Sequence, residues 1–392
     1  MTVGSGLVTG IERVRIRNYR VLRDLELGDL TPVTVLVGPN GSGKSTVFDV
    51  LRFVAESLDD GLEAAWWRRE GLDEIRSRES AGPVEIEVWC RQDGALFVYE
   101  LHLAEEDEVP VAVVERLSWS PGDPEELVGI LDLHSGRGRL RGSVDEDWRT
   151  QDLATATDLG VRAFGALAGN RYLTTFRHFM RRVRVIDLDV AAIRSGTRGT
   201  RRSTSLDPDG GNLASRVEAL KEHSPGEWAE VLGSLRRYVP GLEDVSTLRL
   251  GDGSEVVLLK EEGLEQPILP ENISDGTLLL LGYLVALRSP LTVALLEEPE
   301  NQVHPRLHYL LAEDVRGAAA EQVIVATHAP GFVDASRPDE VWAFARAGDG
   351  HAQVKRISDD ERIVHMVDAG GALGDLWTEG YFRFGDPLAG HR

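Results

Sequence analysis

The 392 residues, 42% hydrophobic and 28% charged, have the composition of a folded globular protein, long enough for two average domains or one large domain with insertions. A formal net charge of −22 excludes a protein that coats nucleic acid indiscriminately, since such binding is driven by Lys and Arg neutralising phosphates. The single cysteine, Cys90, excludes an intramolecular disulfide or a cysteine-rich zinc site and fits a reducing cytoplasm; no N-terminal signal pattern is expected in Met1 to Gly10, and no membrane association.

In chain order, Ile11 to Leu27 alternates as a strand or hairpin, and Val33 to Val37 is a short apolar strand running into a glycine-rich loop. Ser45 to Ser57 then reads as a helix with Val47, Val50, Leu51 and Val54 on one side. After an acidic, tryptophan-containing connector from Glu63 to Glu79, the segments Val84 to Cys90, Leu96 to Leu103 and Val111 to Trp119 predict antiparallel strands in a β-rich lobe. From Asp152 to Tyr238 the periodicity is helical, interrupted by the polar stretch Ser195 to Ser205, and suggests an inserted helical lid. Two more strands, Val245 to Leu250 and Glu255 to Lys260, flank a Gly-Asp-Gly-Ser turn. The apolar run Leu278 to Leu287 is about half of the roughly 20 residues a membrane-spanning helix needs, and reads as a buried helix. Leu291 to Leu296 and Val323 to Ala326 are continuous apolar runs, as expected of central parallel strands, with a helical stretch Arg306 to Ala320 between them. No coiled-coil heptads and no internal repeats are evident.

Four motifs carry chemistry. The loop Gly38-Pro39-Asn40-Gly41-Ser42-Gly43-Lys44-Ser45, followed by Thr46, fits G-x-x-x-x-G-K-S between a strand and a helix. Its glycines let backbone N–H groups wrap phosphates at a helix N-terminus, Lys44 would bind the β and γ phosphates, and Ser45 would ligate Mg²⁺. Leu295-Leu296-Glu297-Glu298-Pro299-Glu300 places an acidic pair at the end of a buried strand, with Glu297 on the metal side and Glu298 beside the attacking water. Val325-Ala326-Thr327-His328-Ala329-Pro330 delivers a histidine to the same edge, where an imidazole can donate to a γ-phosphate oxygen; alone, His328 would more often be structural. Ile273-Ser274-Asp275-Gly276-Thr277 is a small-residue turn that caps the apolar helix and presents N–H groups and a hydroxyl to an anion.

All four in this order make the chain similar to the ABC-type ATPases of the RecF, structural-maintenance-of-chromosomes and OLD group, often described as AAA-family predicted ATPases. The glycine loop with Phe48 to Val54 resembles that group's P-loop and first helix, and Ser274-Asp275-Gly276-Thr277 its signature turn. Glu297 to Pro305 resembles its Walker B and D-loop, and Thr327-His328 its switch histidine. Asp209-Gly210-Gly211-Asn212-Leu213-Ala214 and Leu373-Gly374-Asp375-Leu376-Trp377 resemble its short branch, without a Toprim domain. Glu297 stands where Asp is commonest, and no glutamine is placed as a Q-loop.

The resemblance implies an α/β fold: a P-loop NTPase of the ABC-head type with an antiparallel β lobe and an inserted helical lid. Residues 1–120 would form the N-terminal part of the ATPase head, 121–240 the lid and 241–392 the C-terminal part. It implies ATP and Mg²⁺ as ligands, Lys44, Glu298 and His328 as catalytic residues, Ser45 and Glu297 at the metal, and Gly38 to Thr46 around the nucleotide. It further implies a head-to-head, ATP-dependent homodimer in which Ser274, Asp275 and Gly276 complete the partner copy's site. The output would be a switch or clamp in DNA repair, DNA maintenance or phage defence. Between Arg162 and Arg202, ten arginines face only Asp187 and Asp189, which reads either as a solvated helix face with a loop or as a DNA contact. The strong acidity favours the other output, control of a protein effector such as a toxin or nuclease without touching nucleic acid.

Overall fold

The computed structural model describes residues 9–167, 169–198, 205–301 and 303–384, the side chain of Arg198 excepted. Gln302, Arg201, Arg202 and most of the polar stretch 195–205 therefore lie outside the described residues, as do Met1 to Val8.

The chain opens with the hairpin β1 (Gly10–Tyr19) and β2 (Leu22–Leu27), then β3 (Val33–Val37), the glycine loop and α1 (Lys44–Asp59). The acidic connector folds as α2 (Leu62–Trp67) and α3 (Leu72–Ile75), followed by β4 (Val84–Gln92), β5 (Ala95–Glu106), β6 (Val109–Ser120), β7 (Val128–His134), β8 (Arg137–Leu140) and β9 (Arg149–Asp152). Next come α4 (Gly160–Phe164), α5 (Arg171–Arg181), β10 (Val183–Ile186), α6 (Val190–Ser195), β11 (Thr197–Arg198), α7 (Leu213–His223), α8 (Pro225–Tyr238), β12 (Leu242–Arg249) and β13 (Ser254–Glu261). The last part holds α9 (Asp275–Leu287), β14 (Val293–Glu297), α10 (His308–Arg316), β15 (Gln322–Thr327), α11 (Pro330–Asp334), β16 (Val341–Arg346), β17 (Ala352–Arg356), α12 (Glu361–Asp368) and α13 (Leu373–Thr378).

These strands form three sheets: an antiparallel one ordered β2-β1-β4-β5-β6-β7-β8-β9, a central one ordered β10-β14-β15-β3-β16-β17, and a small one ordered β11-β13-β12. In the central sheet β10, β14, β15, β3 and β16 run parallel, and only β17 is antiparallel. Strands covered on both faces lose the polar alternation of a half-exposed strand, hence the unbroken apolar runs of β14 and β15. The pleat nevertheless sorts their side chains to opposite sides. Val293 and Leu295 join the core shared with α1 and the antiparallel sheet, while Ala294 and Leu296 join the core shared with α7, α8 and α9. Helix α1 buries Val47, Phe48, Val50, Leu51, Phe53, Val54 and Leu58 against the first core, fixing the helix start at the end of β3.

Two segments differ from the sequence expectation, and a third carried none. Residues 128–152, expected at the start of the helical insertion, continue the antiparallel sheet as β7, β8 and β9, because Ile130, Leu131 and Leu133 are buried on it while the polar residues of β8 and β9 pair at its open edge. Val183–Ile186, expected within the helical stretch, is the edge strand β10 beside β14; Val183, Val185 and Ile186 are buried and Arg184 is not. Beyond His328, β16 and β17 extend the central sheet on the far side of β3. The run Leu278–Leu287 is the buried helix α9, and no helix of the described residues is long and apolar enough to cross a membrane.

Candidate functional site

The neighbouring parallel strands β14, β15 and β3 end at one edge of the central sheet, and each carries one of the sequence motifs there. Crevices at the carboxyl ends of parallel strands are where such sheets bind ligands.

The loop after β3 turns on glycines in left-handed backbone: Gly41 has φ 73° and Gly43, which precedes α1, has φ 110°. A Cβ on Gly38 would sit 2.4 Å from the Phe344 carbonyl oxygen, so only glycine lets the loop pass β16. Asn40 and Gly41 are exposed, Ser42 and Gly43 are buried, Ser45 is exposed, and Thr46 is half-buried. Lys44 is buried, and its Nζ donates to the carbonyls of Gly38 (2.8 Å) and Pro39 (3.1 Å). Burial pulls its pKa down to about 8 against the opposing pull of Glu298, Glu297 and Glu300. All three carboxylates are thus within electrostatic reach of the loop's ammonium.

The Ser45 hydroxyl donates to Glu297 Oε1, bringing the loop and the end of β14 together. Glu298 follows in left-handed backbone, φ 43°, which is strained for a non-glycine residue. The turn is held by the Glu298 N–H on the Ala326 carbonyl (2.8 Å) and the Asn301 N–H on the Glu298 carbonyl (2.9 Å). It aims the Glu298 carboxylate at His328 Nε2, 3.0 Å away, while Asn301 Nδ2 donates to the other oxygen at 2.9 Å. Burial and the charge of Lys44 hold His328 below the usual histidine range, against Glu298 and Glu300. Its imidazole is thus neutral at neutral pH and able to donate a hydrogen bond.

Mg²⁺ takes hard oxygen ligands and commonly uses one or two protein groups, with the rest coming from phosphates and water. The Ser45 hydroxyl and the Glu297 carboxylate meet at one point, and no cluster of three or more His, Cys, Asp or Glu among the described residues could hold a metal by itself. That donor set fits Mg²⁺ arriving with a nucleotide.

The structure thus gathers Lys44, Ser45, Glu297, Glu298 and His328, whereas the side chains of Ser274 and Asp275 hydrogen-bond to Thr277 and Arg194. Ser274 caps α9, its Oγ accepting the Thr277 N–H at 3.2 Å. Tyr283, whose hydroxyl reaches the Glu297 carbonyl at 3.4 Å, lies nine residues further along α9. At ~1.5 Å rise per residue, the signature turn is displaced by about 14 Å along the helix axis.

Sequence reasoning missed Arg194, read only as one of a run of arginines. It donates to the carbonyls of Pro270 (3.1 Å) and Ile273 (2.8 Å) and to Asp275 (2.6 Å), pinning the signature turn. It also missed Glu300, whose only signal was its place as third acid after the strand. The short-branch motifs prove to be braces. Asp209 accepts the Gly211 N–H at 3.0 Å in a turn whose backbone pairs with Asp189, and Asp334 of α11 accepts the Gly374 N–H and the Tyr309 hydroxyl.

The family described as "AAA ATPase domain" matches residues 10–108, and that described as "AAA domain, putative AbiEii toxin, Type IV TA system" matches residues 183–334. Over 100 residues the chain is 34% identical to the chromosome partition protein Smc of Thermoplasma acidophilum, a stretch covering 25% of this chain and only 8% of that protein. In three dimensions it is similar to an SMC head bound to the C-winged-helix domain of ScpA, with a TM-score of 0.52 at 13% identity over 88% of this chain and 97% of that one. A Smc head with an extended coiled coil from Pyrococcus furiosus, bound to the C-terminal domain of ScpA, gives 0.51 at 13% identity over 92% and 100%. Sequence matching AAA ATPase domains thus flanks both halves of the crevice, on a fold similar to that of an SMC head.

Proposed function

We propose that the chain binds ATP with Mg²⁺, hydrolyses it, and is joined head to head with a second copy by the bound nucleotide. The observation that carries this reading is the meeting of Lys44, Ser45, Glu297, Glu298 and His328 at the ends of three adjacent strands.

Backbone N–H groups of residues 39–45 and the start of α1 cradle the phosphates, and the Lys44 ammonium leaves its two carbonyl partners for β and γ oxygens. Mg²⁺, held by Ser45 and Glu297, would neutralise phosphate charge. Glu298 orients a water and accepts its proton as the oxygen attacks phosphorus and the bond to the ADP oxygen breaks; neutral His328 donates to the γ-phosphoryl group. Ser274 with the Gly276 backbone of the second copy closes the cage, so losing the γ-phosphate releases the pair.

A specific observation bears on what the switch acts upon. Arg162 and Arg177 donate to the carbonyls of Asp59 (3.4 Å) and Leu58 (3.3 Å), and Arg181 pairs with the Asp59 carboxylate at 3.0 Å, all at the C-terminal end of α1. Cations there answer the negative end of the helix dipole. Arg182 donates to the Pro290 carbonyl at 2.9 Å, and Arg194 holds the signature turn. These internal roles, with a net charge of −22, favour a protein effector over DNA. The SMC heads it resembles are seen bound to ScpA domains, which supports a protein partner as the same kind of readout.

With ATP, Glu298→Gln is expected to double the solution mass and Lys44→Ala to stay monomeric, as read by light scattering, and the dimer should not retard duplex or single-stranded DNA at low salt. An unchanged mass for Glu298→Gln would refute the nucleotide-joined dimer, and ATP-dependent DNA binding would return the clamp reading.

A further inference from the structure

Glu300 is buried at 8% exposure beyond the Walker B turn and has no part in the mechanism above. Its Oε1 accepts two hydrogen bonds from the end of β15: the Thr327 hydroxyl at 2.5 Å and the His328 backbone N–H at 2.9 Å. Thr327 Oγ1 in turn accepts the Ala329 N–H at 3.0 Å, so one carboxylate oxygen orders Thr327, His328 and Ala329 together. The other oxygen, Oε2, is buried without a hydrogen-bond partner. An ionised carboxylate half satisfied in the interior is costly. Glu297 and Glu298 add negative charge nearby, and Lys44 opposes it. What Glu300 supplies is position: one of its oxygens fixes both the backbone N–H of His328 and the hydroxyl of the residue before it.

We propose that Glu300 is a positioning residue for phosphoryl transfer, tying the turn that carries Glu298 to the strand end that carries His328 so that the imidazole meets the γ-phosphoryl group in one fixed orientation. The inference rests on the reading that His328 faces that group. The groups facing His328 are Lys44 from the glycine loop and Glu298 and Glu300 from the turn after β14. Nucleotide affinity arises mainly from the loop and Lys44, so loosening His328 should act on the chemical step and leave binding largely intact.

The test is steady-state phosphate release by the full chain, with affinity for a fluorescent ATP analogue and thermal midpoints measured alongside. Glu300→Ala is expected to lower kcat by about 30-fold or more while KM and analogue affinity change by less than about threefold. Glu300→Gln, which keeps an oxygen for the Thr327 and His328 donors, should return kcat to within about fivefold of the wild type. Wild-type kcat in Glu300→Ala, a loss confined to affinity, or a Glu300→Gln no better than Glu300→Ala would each overturn the positioning role. His328→Ala separates the two levels. If it loses turnover while Glu300→Ala does not, this inference alone fails; if it keeps wild-type turnover, the role of His328 fails first.

Discussion

Lys44 sets burial against charge. With its Nζ on two carbonyls of its own loop and its pKa drawn down to about 8 by burial, it is largely protonated at neutral pH and progressively neutral above it. A triphosphate binds the ammonium and not the free amine. Below pH 8 the proton is already in place, so affinity should be flat. Above pH 8 binding must take up a proton, and affinity should fall by up to about tenfold per pH unit. Fluorescence titrations with an ATP analogue at pH 7, 8 and 9 check this, and constant affinity across that range would show that Lys44 keeps its charge throughout. The same tension appears at Glu298, whose strained backbone is what points its carboxylate at His328.

Among the elements, β6 and α4 are joined by a buried carboxylate that also titrates. Glu115 on β6 accepts the N–H groups of Gly160 and Val161 (3.0 Å) and the Tyr99 hydroxyl (3.1 Å), and burial still pushes its pKa up to about 7. A raised carboxyl pKa means that between the ordinary 4.5 and about 7 the folded chain holds a proton that the unfolded chain has lost. Stability from this group is therefore greatest below pH 4.5 and declines as pH rises to 7, by on the order of 3 kcal/mol. Urea unfolding at pH 5 and pH 8 should show that decline in the wild type, with the difference missing in Glu115→Gln; equal slopes in both would contradict it.

Legibility followed the same physics. Strands β3, β14 and β15 were readable because burial on both faces leaves short, unbroken apolar runs, and the glycine loop because few residue patterns allow such backbone. Strand β10 was not, since Val183, Val185 and Ile186 sit among arginines and only pairing with β14, more than a hundred residues away, makes them a strand. Strands β8 and β9 carry mostly polar residues at a sheet edge and give no alternation to read. The residues missed at the site, Arg194 and Glu300, act through hydrogen bonds to backbone or to a neighbouring strand end, and nothing in local composition marks such bonds.

As a whole, the molecule is an acidic chain with the fold of an SMC head, whose crevice we read as one half of a nucleotide site. In the proposed reading Lys44, Glu298 and His328 line that half, and the signature turn, held by Arg194, serves the site of a second copy. The net charge is −22, and Arg162, Arg177, Arg181, Arg182 and Arg194 engage the chain's own carbonyls or carboxylates, which is why the proposed output is a protein and not DNA. The most direct measurement is a crystal structure of Glu298→Gln with ATP and Mg²⁺. The terminal phosphoryl group should lie at hydrogen-bond distance, roughly 2.7–3.2 Å, from Lys44 Nζ and His328, with position 298 facing the phosphorus from the side opposite ADP. A triphosphate bound anywhere that leaves Lys44 or His328 out of its reach would contradict the account.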